Sequence, residues 1–197
     1  KERPQAGAPL LVGDVSLNLT NQRAIATVMA RGLHAFAPAL DLDASQIQNL
    51  VESSWAPYCE VVLHHPTPLF YMEHCVMAAL LSDGRDYRTC GRPCEAHAVA
   101  LRDRAGHIHP VEADVGCRNT VFHAAAQSAV HLVPGLLRAG VRRFRLELVR
   151  EDRPTVERLV RGYRAVIASR SEPAELWRDL RAASGSSVVR GALRVLG

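Results

Sequence analysis

LLVGDVSLNLTNQRAIATVMARGLHAFAPALDLDASQIQNLVESSWAPYCEVVL, the stretch Leu10–Leu63, decides the fold. It opens on a short apolar run, Leu10–Val12, that stops at Gly13-Asp14 and reads as a buried strand with a functional loop behind it. Asn21 is placed to cap a helix running to about Arg31, with Ala24, Ile25, Val28 and Met29 on one face and Gly32 as its stop. Leu33–Ala37 is the next short strand, halted by Pro38. Asp43 caps a second helix, Ala44–Ser53, with Ile47, Leu50 and Val51 turned inward. Cys59–Leu63, a β-branched run, is a third strand. Strands separated by helical crossovers pair in parallel, so the stretch predicts a β/α sheet.

Outward from this core the pattern first breaks and then resumes. Residues 64–123 carry most of the cysteines and histidines and little periodicity. Within them Ala98–Arg102 and His107–Val111 flank Asp103-Arg104-Ala105-Gly106, a hairpin signal. Regularity returns with a helix at Ala129–Ala139, stopped by Gly140, and a strand at Phe144–Val149. Pro154 opens a helix to about Ala168, and Glu172–Ala183 forms a last one around Leu176, Trp177 and Leu180.

The expected fold is therefore α/β: a partial (β/α) barrel-like parallel sheet with a cysteine-rich insert containing a β-hairpin. Its divisions are β/α units over residues 1–63, the cysteine-rich segment over 64–123, closing units over 124–184, and a flexible Gly- and Ser-rich tail over 185–197. A complete eight-stranded barrel takes about 250 residues, more than the 197 present. The chain also opens on Lys1 rather than Met. Both features predict a piece of a longer protein.

Composition narrows the class. Of the residues 48% are apolar, 22% charged and 5% aromatic, which suits a packed domain and excludes a disordered chain. No apolar run is long enough for a membrane span, and the opening residues lack the apolar core of a secretory signal. A cytoplasmic location is the expectation. The net charge of +4 comes from 24 Lys and Arg residues, of which Lys1 is the only lysine. Such a bias points to codon preference more than to a polyanionic partner.

Five cysteines remain free to carry chemistry in a reducing compartment. Cys59 sits inside a strand pattern and reads as a buried core thiol. The other four follow Cys75-x14-Cys90-x3-Cys94-x22-Cys117. Zinc ribbons use two tight pairs, and only one is present here. Four thiolates along one segment equally suit an iron–sulfur cluster, so spacing leaves a 4Fe-4S cluster and zinc open. Gly91 and Pro93 shape the turn between Cys90 and Cys94. Arg88, Arg92 and Arg118 lie within two residues of a cysteine, placed to offset the charge of an anionic centre.

Hydrolase signals are missing: there is no H-E-x-x-H, G-x-S-x-G or S-x-x-K motif. His64-His65, before Pro66 and Pro68, closes a strand where barrel sites collect. His107 and His109 alternate in the hairpin and share a face, read as solvated. His34, His97, His123 and His131 read as ordinary surface or core histidines. Arg145 and Glu147 share one face of the strand Phe144–Val149, as a structural ion pair or a substrate clamp. Arg142, Arg143, Arg150, Arg158, Arg161 and Arg164 read as a solvated face.

Six segments, GDVSLNLTN (Gly13–Asn21), FYMEHC (Phe70–Cys75), CGRPCEAH (Cys90–His97), LRDRAG (Leu101–Gly106), ADVGCRNTVF (Ala113–Phe122) and FRLEL (Phe144–Leu148), together resemble the collagenase-like peptidase family, peptidase family U32. The likeness runs in order from about Gly13 to Trp177. It implies a barrel-like α/β domain and a 4Fe-4S cluster on the matching cysteines, Cys75, Cys90, Cys94 and Cys117. The family takes its name from collagen degradation, while relatives carry out oxygen-independent hydroxylation of RNA bases or of a quinone precursor, with prephenate as a suspected hydroxyl source. Some relatives work as pairs of related subunits.

The resemblance thus implies an iron–sulfur hydroxylase acting on RNA or a small aromatic substrate. Asp14, Asn18, His64, Glu73, Asn119, Arg145 and Glu147 would line its pocket. The alternatives are a collagenase-like peptidase and a non-catalytic, metal-stabilised subunit of a heterodimer. Longer members carry further strands before the GDVSLN segment, so this chain resembles a carboxyl-terminal portion. His64-His65-Pro66 also departs from the His-Gly form of the peptidase-labelled branch.

Overall fold

Two side chains fix where the first helices begin. Asn21 Oδ1 accepts the Ala24 N–H at 2.9 Å. Asp43 Oδ1 accepts the Gln46 N–H at 2.8 Å, while Gln46 Oε1 accepts the Asp43 N–H at 2.8 Å. This reciprocal capping box satisfies two backbone donors that the helix itself leaves over. A computed structural model of the chain describes residues 9–84, 86–182 and 188–193. In order they form β1 (Val12–Gly13), α1 (Gln22–Met29), β2 (Ala35–Phe36), α2 (Ala44–Val51), β3 (Glu60–Met72), α3 (Val76–Leu81), α4 (Pro93–Ala96), β4 (Val99–Arg102), β5 (Ile108–Ala113), β6 (Asn119–Ser128), α5 (Val133–Ala139), β7 (Arg143–Leu146), α6 (Arg153–Ile167), α7 (Pro173–Ala182) and β8 (Val188–Val189).

The described residues divide into two units, one of residues 9–65, 127–182 and 188–193, the other of 66–84 and 86–126. In the first, β1 pairs in parallel with β2, Val12 opposite Ala35. Phe36 bridges in parallel to Cys59, and β3 pairs in parallel with β7, Val62 opposite Arg145. The predicted parallel β/α arrangement is present, with no closed barrel among the described residues. Ile25, Phe36, Val51, Cys59, Val61, Leu63, Val130, Val133 and Val141 are fully buried. Each large aliphatic side chain so placed contributes about 1.5–3 kcal/mol.

In the second unit β4, β5 and β6 form an antiparallel meander, Val99 opposite Val111 and Val111 opposite Val121. The predicted hairpin is there, turning at Asp103. Its histidines differ from expectation. His109 is buried rather than solvated. Its Nδ1 accepts the Ala124 N–H at 3.1 Å, so Nε2 carries the proton and donates to Asp103 Oδ2 at 3.3 Å. Only His107, bonded to the same carboxylate oxygen at 2.9 Å, stays largely exposed.

Several elements depart from the sequence reading. Leu10–Val12, expected as a buried strand, is exposed, and the strand there is β1, Val12–Gly13. β3 runs for 13 residues, not just to Leu63. Pro66 and Pro68 are tolerated because residues two apart direct their missing N–H groups to the same edge of the strand. The helix expected from Ala129 begins as a 3-10 turn over Val130–Leu132, and α5 proper starts at Val133 with Pro134 in its first turn. The strand expected over Phe144–Val149 is β7, Arg143–Leu146, so Glu147 lies just past it. Within the tail read as flexible, Val188 and Leu193 are buried. Leu193 O accepts from His131 Nε2 at 3.1 Å. Tail positions 185–187 and 194–197 lie outside the described residues.

A buried polar knot ties α6 to β3. Tyr163 Oη donates to Leu63 O at 3.2 Å. The hydroxyl then accepts from Ser128 Oγ at 2.7 Å and from His64 Nδ1 at 3.3 Å. This assignment gives every partner one role and fixes the His64 tautomer. Burial holds His64 down to about 4, well below the usual imidazole value of 6.5.

Because the unfolded chain takes up that proton first, stability is intact above pH 6.5. It falls as pH drops from 6.5 towards 4, by about 3 kcal/mol in all. In urea titrations between pH 7.5 and 4.5, wild type should therefore lose stability more steeply than His64→Gln; parallel curves would remove the buried-imidazole account. Tyr163→Phe should lose about 1–3 kcal/mol at neutral pH, since it strands polar groups that share one hydroxyl.

Candidate functional site

Arg145 on β7 is the meeting point of the first unit's charged residues. Its Nη1 lies 2.6 Å from Asp14 Oδ1 and 3.2 Å from Glu147 Oε1. Nε donates to Glu60 Oε1 at 2.7 Å, and Nη2 reaches the same oxygen at 2.6 Å. The parallel register makes this possible: Asp14 follows β1, Glu60 opens β3, and Val62 stands opposite Arg145. Of the sequence-predicted residues, Asp14, Arg145 and Glu147 converge. Glu60 is the member that sequence reasoning missed. Its signal was a lone charge inside the apolar run CEVVL, where a carboxylate needs a partner.

Four of the five N–H groups of Arg145 are engaged by carboxylates. The side chain is thus an organiser of acids rather than an open clamp for an anion. Burial pulls its proton affinity down, but the bonds to Asp14 and Glu60 outweigh burial and raise it. The hydrogen bond from Arg145 and the Val15 N–H hold the Asp14 carboxyl below the usual range. One cation against three carboxylates leaves an acidic site, open at Asp14, which is exposed.

Asn18, also expected at the pocket, is exposed in a left-handed conformation with φ 50°. His64 is 3% exposed, neutral, and tied to Tyr163. The two other predicted pocket residues belong to the second unit, where Glu73 is exposed. Asn119 is fully buried. Its Oδ1 accepts the Val76 N–H at 2.8 Å and its Nδ2 approaches Cys75 Sγ at 3.8 Å.

All five cysteines are free thiols. Cys59 is the core thiol the sequence predicts: burial, with Glu60 beside it, pushes it up to about 12. The other four all belong to the second unit. Cys75 precedes α3, and its sulfur accepts the Ala78 N–H at 3.5 Å. Cys90 Sγ accepts the Arg92 N–H at 3.4 Å. Gly91 and Arg92 both take left-handed backbone, φ 66° and 54°, and deliver the chain to Pro93 and Cys94. Cys117 also has positive φ, 62°, near the tip of the β5–β6 turn.

That turn is held by Asp114, whose Oδ1 accepts the Gly116 and Arg118 N–H groups at 2.8 and 3.0 Å. The loop before Cys90 is built alike. Asp86 Oδ1 accepts from Arg88 and Thr89 N–H, each at 3.0 Å. Gly84 lies so close that an added Cβ would stand 2.3 Å from Thr89 O and 2.5 Å from Cys90 Cα.

The arginines expected to offset a centre's charge have nearer partners: Arg92 with Glu95 at 3.2 Å, Arg118 with Asp114 at 2.8 Å, and Arg88 with the Tyr87 hydroxyl at 2.9 Å. Among the described residues no three His, Cys, Asp or Glu side chains converge to hold a metal ion. The four thiols are the donors that a thiolate-ligated group would need, but no three of them come together among the described residues. They are unbridged, and two already accept N–H bonds of the kind that stabilise anionic sulfur.

Arg145→Met should leave three carboxylates without their cation and lower stability by about 1–3 kcal/mol at pH 7, discounted for partial exposure. Acid should shrink that deficit as the acids protonate. Arg145→Lys should recover only part of it, because an ammonium cannot reproduce the fork. Equal urea midpoints for wild type and Arg145→Met would show the network to be idle. Gly84→Ala should destabilise the second unit, since its methyl meets backbone rather than a movable side chain.

Neither a curated protein nor a solved structure matches the chain. No helix among the described residues is long and apolar enough to cross a membrane. The family model described as Peptidase family U32 matches residues 11–190. That span takes in the Arg145 network and every cysteine. The chain belongs to peptidase family U32.

Proposed function

We propose that this chain is an iron–sulfur protein that takes part in oxygen-independent hydroxylation of an RNA base or an aromatic precursor. Cys75, Cys90, Cys94 and Cys117 would hold a 4Fe-4S cluster, which when bound supplies electron transfer. The observation that carries the reading is the local state of these thiols. Cys75 and Cys90 accept N–H bonds at sulfur. Cys117 occupies left-handed backbone, which costs a residue other than glycine about 1 kcal/mol or more. A thiol kept at such a position, where glycine would be more stable, supports a role for its sulfur.

The chain's own residues divide the remaining work. Asn119 orients Cys75 and the first turn of α3 from a fully buried position. At the other site the free lone pairs of Asp14, Glu60 and Glu147 suit N–H or O–H donors on a target ring, with Arg145 holding the carboxylates in place. Hydroxylation without dioxygen also requires an oxygen-bearing co-substrate that leaves reduced by two electrons. The alternative is a collagenase-like peptidase, the activity for which the family is named.

Anaerobic purification of the full chain, with iron and acid-labile sulfide counts, tests the ligand set. Equal iron and sulfide are expected, lost together in Cys94→Ala and retained in Cys59→Ala. Cys117→Gly should lose the metal while the metal-free protein gains about 1 kcal/mol in stability, because the left-handed turn relaxes. Zinc without sulfide, or cluster content untouched by Cys94→Ala, would refute the assignment. Cleavage of denatured collagen by metal-free protein would favour the peptidase instead.

A further inference from the structure

The positive charge of the chain is concentrated late in the sequence. Residues 138–181 hold twelve arginines and seven acidic residues, an excess of five in a chain whose net charge is +4. Helix α6 presents part of that excess in an organised way. Leu159, Tyr163 and Val166 fill its buried face. Val156 borders that face, and Val160, Arg164, Glu157 and Arg161 follow about a quarter to half a turn round, at about 100° per residue; with Arg170 they line a groove of about 500 Å³.

The pairing inside this groove is uneven. Glu157 is taken by Arg153, Nε to Oε1 at 2.9 Å. Arg161, Arg164 and Arg170 form no side-chain ion pair among the described residues and are exposed. Arg170 is beyond the helix and would ordinarily continue away from it. It is brought back because Ser169 takes φ 54°, with its N–H on Val166 O at 2.9 Å and the Arg170 N–H on Ala165 O at 2.8 Å. This is a Schellman closure, built here without the glycine that usually makes it.

We propose that the α6 groove is a docking site for an acidic segment of a partner protein, one whose carboxylates alternate with aliphatic side chains. Charge complementarity selects the anion, because three guanidinium forks stand without carboxylates and are shaped for bidentate contact. The floor selects its kind. Val156 and Val160, the latter 37% exposed, offer aliphatic surface. No aromatic ring lines the groove on which a nucleic-acid base could stack. A phosphate backbone would use the arginines and leave the valines uncovered, whereas leucine or valine side chains between glutamates would use both. The inference is independent of the cysteines and of any cluster.

A fluorescein-labelled peptide of alternating Glu and Leu pairs, titrated against the full chain by fluorescence anisotropy, tests this. Oligoglutamate of equal length and single-stranded polyuridine RNA serve as competing probes. The Glu-Leu peptide should bind most tightly. Its affinity should fall roughly tenfold or more in Arg161→Gln/Arg164→Gln/Arg170→Gln, and also in Val156→Ser/Val160→Ser. The matched triple Arg23→Gln/Arg31→Gln/Arg104→Gln should bind like wild type, and circular dichroism should show every variant folded. Affinity unaffected by the groove arginines overturns the proposal, as does failure of the peptide to bind. Oligoglutamate binding equally well would reduce the groove to bare charge, and tighter RNA binding would assign it to nucleic acid; either result also overturns it.

Discussion

A guanidinium half removed from water must be answered by anions, and Arg145 is answered by three carboxylates from separate stretches of chain. Asp14 is 131 positions away in sequence and Glu60 is 85. Desolvation of a charge costs several kcal/mol unless it is paired, so these contacts hold together only if β7 lies beside β3 and the turn after β1 closes over both. The ion network therefore couples the parallel register to the candidate site. A shift of either strand by one residue would move side chains to the opposite face and break the same contacts that define the site.

The first half of the fold was legible because its signals are local. Asn21 and Asp43 are capping residues at the positions that need them, Gly32 ends one helix, and the apolar faces repeat at helical spacing. The strand β6 was not legible. Its sequence NTVFHAAAQS contains three consecutive alanines, a weak strand signal, although its burial largely alternates once folded. Pairing with β5 at Asn119–Val121 and with β3 on the other side makes it a strand. The long extent of β3 was hidden for a related reason, since two prolines look like a stop until their spacing is read against the strand period.

Alternation correctly placed His107 and His109 on one face of the hairpin but could not say which side of that face would be covered. The Ala124 N–H, fifteen positions further on, decides that His109 is buried. At the candidate sites, residue type was legible and geometry was not. Arg145 and Glu147 were found by a shared strand face, whereas Glu60 emerges only once β3 and β7 are paired. Asn119 is buried beside Cys75, a contact with no signal in the sequence.

The two units solve the problem of order by different means, and the difference bears on the thiols. The first unit is held by apolar packing around Cys59, whose sulfur is part of the core. In the second unit, short loops are held by aspartates: Asp86 before Cys90, Asp103 in the hairpin, Asp114 before Cys117. Each carboxyl is kept below its usual range by these bonds: at Asp86 chiefly by the Thr89 hydroxyl, at Asp103 by His107, at Asp114 by the Arg118 N–H. Carboxylates therefore set the turn before Cys90 and the turn around Cys117, while the Cys90 sulfur accepts the Arg92 N–H on its far side. A cysteine that fills no core and holds no turn has a thiol free for chemistry, and when its backbone is also held left-handed, as at Cys117, packing alone gives no reason for the residue to be there.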